Sequence, residues 1–178
     1  MTRTRLTWLV LSCVVALLLV GTATGARPRP SRTSQPVELQ RELFAAINDL
    51  RARYDLAELR PNQQLARAAA AHASAMAEGG FFSHSSADGS AFSDRVLRFY
   101  RVTQARRWSI GENLLWASPE PGVRRALRMW LESPPHRRAL LDPRWRDLGL
   151  VAINVPDAPG VFRGLDVTIV VADFGVRS

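Results

Sequence analysis

The sequence predicts an α+β domain, and three observations carry that prediction. Apolar residues recur at helical spacing early in the chain, an alanine-rich segment closed by two glycines follows, and the last third turns to Val- and Ile-rich runs divided by turn residues. Helices therefore come first and the sheet-forming residues last.

Leu39, Leu43, Ile47, Leu50 and Tyr54 follow at steps of four, four, three and four, which puts them on one face of a first helix from about Val37 to Tyr54. After Arg60-Pro61-Asn62, a second helix is expected from Gln63 to Glu78, ending at Gly79-Gly80. In it His72 shares the face of Leu65, Ala69 and Met76, opposite Arg67, Ser74 and Glu78, so it is expected to point inward as a core histidine. Ser90 or Ser93 is expected to cap a third helix running through Val96, Leu97 and Tyr100. Ser118-Pro119-Glu120 reads as a cap, a first-turn proline and an acid at the positive end of a fourth helix reaching about Leu131. At 100° per residue Trp130 and Leu127 fall on the apolar side of that helix, and Glu132 falls with Arg125 and Arg128 on the solvated side. Pro134-Pro135 is expected to make an extended approach to a short helical segment beginning at His136. Leu148 to Val155 and Asp166 to Phe174 read as two strands joined through Pro156, Asp157, Pro159 and Gly160. The nearly unbroken apolarity of Val167 to Ala172 predicts a strand covered on both faces.

The first 26 residues read as an export signal outside the folded domain. Arg3 and Arg5 precede a 15-residue apolar run from Leu6 to Val20, and small residues follow from Gly21 to Ala26. That run is short for a membrane-spanning helix, which needs about 20 residues; an uncleaved anchor is the alternative. Residues 27–36, RPRPSRTSQP, read as an extended linker, and the domain is expected over residues 37–178.

The chain has 178 residues, with 24 basic against 16 acidic side chains and one cysteine. Every basic residue is arginine, which looks more like a coding bias than a surface selected for nucleic acid. Removing the signal takes away Arg3, Arg5 and Cys13 but no acid, so an exported domain would have no disulfide and would depend on packing. There is no HExxH, no GxSxG and no phosphate-cradling Gly-rich run, and the lone cysteine lies in the signal. Thiol catalysis, zinc–thiolate sites and P-loop chemistry are thereby excluded.

Three segments combine polar reactive groups with rigid or aromatic neighbours: Phe81-Phe82-Ser83-His84-Ser85, Ile110-Gly111-Glu112-Asn113-Leu114, and Trp130-Leu131-Glu132-Ser133-Pro134-Pro135-His136. Asp88-Gly89, Phe92 and Arg95 follow the first; Arg137, Leu140, Leu141 and Trp145 follow the third; Asp147-Leu148-Gly149 leads into a strand, and Asp173-Phe174-Gly175 closes the series. In this order the chain resembles bacterial members of the CAP superfamily, which joins cysteine-rich secretory proteins, antigen 5 and plant pathogenesis-related proteins. The resemblance covers nearly all of residues 40–175.

The resemblance implies a three-layer α/β/α sandwich with a three-stranded antiparallel sheet. It also implies a central cleft, lined by two histidines and acids, that in some members binds a divalent metal. By motif, His84 and His136 match the two histidines and Glu112 the acid. Two imidazoles and a carboxylate suit zinc with an open position for water. The chain departs from the family pattern where a second acid is usual, which here is Ser133, and again at Ala139 and Val151. Taken singly, each site residue has a plain structural alternative: a helix-start histidine for His136, a turn histidine for His84, and a carboxylate bonding backbone N–H for Glu112. Trp108, Trp116, Trp130 and Trp145 would suit either a cleft floor or the core, with packing favoured for Trp130.

These readings lead to an exported or envelope-associated domain whose cleft at His84, Glu112 and His136 binds a divalent metal or a small envelope, lipid or glycan ligand without catalysis. No specific nucleic acid is expected as a partner. The alternative is a metal-dependent hydrolase of envelope polymer or peptide, with Glu112 acting on metal-bound water. A third reading leaves the cleft idle and gives the contacts to the arginine-rich surface.

Overall fold

Helix-period stripes and apolar strand runs meet in a three-layer arrangement. The computed structural model describes residues 35–103 and 105–178. The expected export signal and nearly all of the 27–36 linker lie outside the described residues; its last positions, Gln35 and Pro36, begin the first helix.

Helix α1 spans Gln35–Ala52 and buries Leu39, Leu43, Ile47 and Leu50. It ends before the last member of its stripe, so Tyr54 is 49% exposed. The short strand β1, Arg60–Pro61, leads to α2, Gln63–Gly79. Asn62 caps α2 by accepting from the amides of Gln64 and Leu65 at 3.0 and 3.2 Å, and Gly80 ends it in the left-handed conformation. Helix α3, Phe92–Phe99, starts after Ala91, which makes no side-chain cap. Neither Ser90 nor Ser93 serves as the expected cap; Ser93 lies inside the helix, and Asp94 places the first-turn acid.

Strand β2, Trp108–Ala117, holds the Gly-Glu-Asn motif and was not legible as a strand from periodicity. Helix α4 runs from Val123 to Glu132 with Gly122 as its N-cap, not from Ser118-Pro119-Glu120 as expected. The reason is Pro121, which disfavours helical geometry at the residue before it. Helix α5, Pro134–Leu140, begins two residues ahead of His136. Pro134 and Pro135 are thus helical rather than extended, because the first-turn amides they lack have no intrahelical acceptor anyway. Strands β3, Asp147–Ala158, and β4, Leu165–Arg177, extend the two expected runs.

The sheet order is β1-β3-β4-β2. β3 and β2 pair antiparallel with β4, and two-residue β1 adds a parallel fourth strand to the three that were implied. β4 is therefore central and β2 an edge. Val167 to Phe174 is buried throughout, as a strand covered on both faces must be.

Alternation along the strands divides the core in two. Leu115, Leu148, Leu150, Val170, Ala172 and Phe174 face α1, α4 and α5. Leu114, Val167, Ile169 and Val171 face α2. Gly149 lets α2 close down on β3: a Cβ there would lie 2.2 Å from the Ala66 nitrogen, so no side chain fits. On the other layer, buried Arg51 at the end of α1 donates to the carbonyls of Ala57, Leu140 and Asp142, tying α1 to the end of α5. Among the described residues no helix is long and apolar enough to cross a membrane.

Candidate functional site: a cleft around the edge strand

Because β2 is an edge strand, loops from both helical layers can meet around it. Its neighbours Glu112 and Asn113 point to opposite faces of the sheet. Glu112 shares the α2 side with Leu114, and Asn113 shares the α4–α5 side with Leu115. Each takes hold of one histidine segment. Glu112 Oε1 accepts from His84 Nδ1 at 2.8 Å, and Asn113 Nδ2 donates to the main-chain oxygen of His136 at 3.0 Å. The two imidazole centroids are 6.3 Å apart with planes tilted by 50°. His84, Glu112 and His136, singled out from three separate motifs, therefore come together around β2.

Arg95 joins them. Its Nη2 donates to Glu112 Oε2, while Nη1 reaches the His84 carbonyl at 3.2 Å and Ser86 Oγ at 3.3 Å. Both carboxylate oxygens of Glu112 are thus engaged, and its side chain is 1% exposed. A carboxylate taken so far from water stays ionised only with such donors. His72, 0% exposed as expected of a core histidine, supports the same loop by donating from Nε2 to the Ser83 carbonyl at 2.8 Å. Burial, then the nearby Arg95 charge, holds its pKa below the usual 6.5.

Asp173 lies beside Glu112 in the sheet register and beside Gly149 on the other flank. It is fully buried, with no hydrogen-bond partner among the described residues other than the neighbouring Glu112 carboxyl. Burial first, and the Glu112 charge second, raise its pKa well above 3.8. Two carboxyl groups this close cannot both ionise cheaply, and Arg95 bonds Glu112 rather than Asp173, so the raised pKa falls on Asp173.

His136 is partly buried and its ring makes no hydrogen bond among the described residues. Its pKa is lowered, chiefly by burial and then by His84. The aromatic residues serve mainly as frame. Trp130 is buried and donates to the Leu114 carbonyl at 2.9 Å. Trp145 stacks on Phe174 and donates to the Ala139 carbonyl at 2.8 Å. A Cβ at Gly111 would come within 2.9 Å of the Trp145 ring, which explains the glycine before Glu112. Trp116 meets Phe162 edge-on, and Trp108 is 44% exposed at the strand start. Glu132 lies 3.8 Å from Arg128 on the solvated face and takes no part in the cleft.

Among the described residues, no group of three or more His, Cys, Asp or Glu side chains is arranged to hold a metal ion. The donor set is two imidazoles, with Glu112 behind one of them, rather than a three-residue site.

Arg95 and Asp173 accompany the three motifs, and each carries a signal of its own in the sequence. Arg95 lies three residues after Phe92 and four before Phe99, on the apolar side of α3. Asp173 is an acid within an otherwise apolar strand, a place where an ionised carboxylate is costly.

A profile of the cysteine-rich secretory protein (CAP) family matches residues 44–174. Among solved structures, an outer surface protein from Borrelia burgdorferi superposes with a TM-score of 0.64 at 22% identity, covering 79% of this chain and 94% of that one. An extracellular protein containing an SCP domain from Bacillus anthracis gives 0.61 at 25%, covering 84% and 44%. A cysteine-rich secretory protein from Staphylococcus aureus gives 0.56 at 20%, covering 78% and 38%. This chain thus spans less than half the length of the latter two. No curated protein matched. The chain belongs to the cysteine-rich secretory protein family.

Proposed function

We propose that this member of the family is an exported binding module, and that its edge cleft takes a divalent metal, zinc by donor chemistry, on His84 and His136. One observation carries the reading. Glu112 Oε1 accepts from His84 Nδ1 at 2.8 Å, so in the neutral ring Nε2 is left with the lone pair. A carboxylate behind an imidazole fixes its tautomer and makes it a better ligand. Burial favours the neutral, ligating form of His136.

Two protein donors leave the remaining positions to water or to an oxygen of a bound envelope, lipid or glycan ligand, and the metal would polarise that oxygen. Binding is favoured over hydrolysis because neither carboxylate is placed to act as a base: both Glu112 oxygens are engaged and Asp173 is sealed. Placement outside the cell is supported by the expected signal and by the Bacillus anthracis relative, which is described as extracellular.

The test is calorimetric zinc titration of protein purified without a nickel column. Saturable binding is expected, lost in His84→Ala and in His136→Ala and weakened about 10–100-fold in Glu112→Ala. Binding undiminished in both histidine variants would refute the proposal.

A further inference from the structure

The arginines, which composition explains as a coding bias, are not evenly spread. Residues 124–146 contain seven arginines against Glu132 and Asp142, a net +5. The described residues contain 19 arginines against 16 acids, a net +3, so the rest of the domain is net −2. A bias of arginine over lysine selects the kind of cation but does not gather cations into one stretch. All seven arginines are exposed.

Most of them are also unneutralised. Arg144 is paired with Asp142 at 2.6 Å, Arg128 lies 3.8 Å from Glu132, and Arg146 donates only to main-chain carbonyls. Among the described residues Arg124, Arg125, Arg137 and Arg138 have no ion pair. Arg137, Arg138 and Arg144 line a single open groove of about 530 Å³ with Leu141, Asp142 and Pro143. Arg124, Arg125 and Arg128 line a second, of about 710 Å³, beside α1 Glu42.

We propose that the groove between α5 and the turn after it docks a linear phosphate polymer. The guanidinium fork matches phosphate oxygens in pairs, and successive phosphates along a chain suit several separate arginines better than one small anion does. A polymer fits better than a bilayer, because the large exposed apolar side chains, Val37, Tyr54, Trp108, Val161 and Leu165, all lie outside residues 124–146. Charge without an inserting side chain holds a bilayer weakly. The contact reads charge rather than sequence, since the groove offers no exposed aromatic ring for stacking a base. This site is separate from the histidine cleft and does not depend on its metal.

The experiment measures binding of long-chain inorganic polyphosphate by the domain in EDTA, at low and at physiological salt, with anionic phosphatidylglycerol vesicles as a parallel arm. Arg137→Glu/Arg138→Glu is expected to lose at least about tenfold in affinity at low salt and to flatten the dependence of log K on log salt. Arg67→Glu/Arg163→Glu, the same charge change on exposed arginines of other elements, should lose less than about twofold. His84→Ala should bind polyphosphate like the parent, which separates this proposal from the cleft reading. Arg137→Lys/Arg138→Lys, which keeps the charge but loses the fork, guards against misfolding and should bind between the parent and the Glu double variant. No binding by the parent, equal losses in the two Glu double variants, or tighter binding to vesicles than to polyphosphate would each overturn the proposal.

Discussion

The two imidazoles of the cleft are held by different parts of the molecule and in different ways. His84 sits on the loop after α2, with its side chain 52% exposed, and is fixed by the Glu112 carboxylate at 2.8 Å. His136 sits in α5, is more covered, and is held through its backbone by Asn113 at 3.0 Å. A loop residue needs a bond to its side chain to stay in place, whereas a helical residue is positioned when its helix is docked. The first arrangement fixes a tautomer and the second fixes a location. One strand supplies both because adjacent residues of β2 face opposite layers.

The greatest damage should come from breaking the His84 side at its buried charge. Arg95→Met strands Glu112 without a cation and is expected to cost about 3–5 kcal/mol in urea unfolding. Arg95→Met/Glu112→Leu should recover most of that loss, since it removes the orphaned charge as well. Failure of the double variant to recover would mean that Arg95 acts mainly through the loop carbonyl and hydroxyl it also bonds.

A smaller effect is expected on the other side. Asn113→Ala should cost about 1–2 kcal/mol, the loss of one partly buried hydrogen bond, and should move the ring resonances of His136 in NMR while leaving those of His84 in place. Equal movement of both would contradict the idea of two independent anchorages.

Acidity sharpens the comparison further, because the burdened groups lie on the His84 side. The Asp173 pKa is raised by burial and by Glu112. As pH rises above 3.8 the unfolded chain gives up this proton before the folded one does, so Asp173 lowers stability with rising pH until its folded pKa is passed. Asp173→Asn should remove that slope above pH 3.8 in denaturant titrations. His72 acts oppositely: its pKa is depressed by burial and Arg95, so stability should fall as pH drops below 6.5. His72→Gln, which keeps a donor for the Ser83 carbonyl, should flatten this limb alone. The smallest effect is spectroscopic: the His84 Nδ1–H that faces Glu112 should be visible in nitrogen correlation spectra as the form held by the carboxylate, and Glu112→Ala should release it.

Much of the fold was legible locally. The stripe of α1, the Asn62-to-Gly80 limits of α2 and the apolar run of β4 each depend on residues near one another in the chain. The start of α4 was misplaced because Pro121 outweighed an attractive cap at Ser118. The alternation of β2 breaks because Glu112 and Asn113 are both buried and both polar, each bonded to a distant segment. The motifs singled out His84, Glu112 and His136, but not the Arg95 that balances Glu112 or the Asp173 that shares its corner.

Local pattern is enough for α1, α2, β3 and β4 and for the three polar motifs that stand apart from the core, because period and capping act over a few residues. Folding over long range is what puts β2 at the sheet edge, sends its two polar neighbours to opposite layers, and buries Asp173 beside Glu112 so that its pKa rises. Those outcomes depend on burial and on contacts between residues far apart in the chain, and no local pattern encodes them.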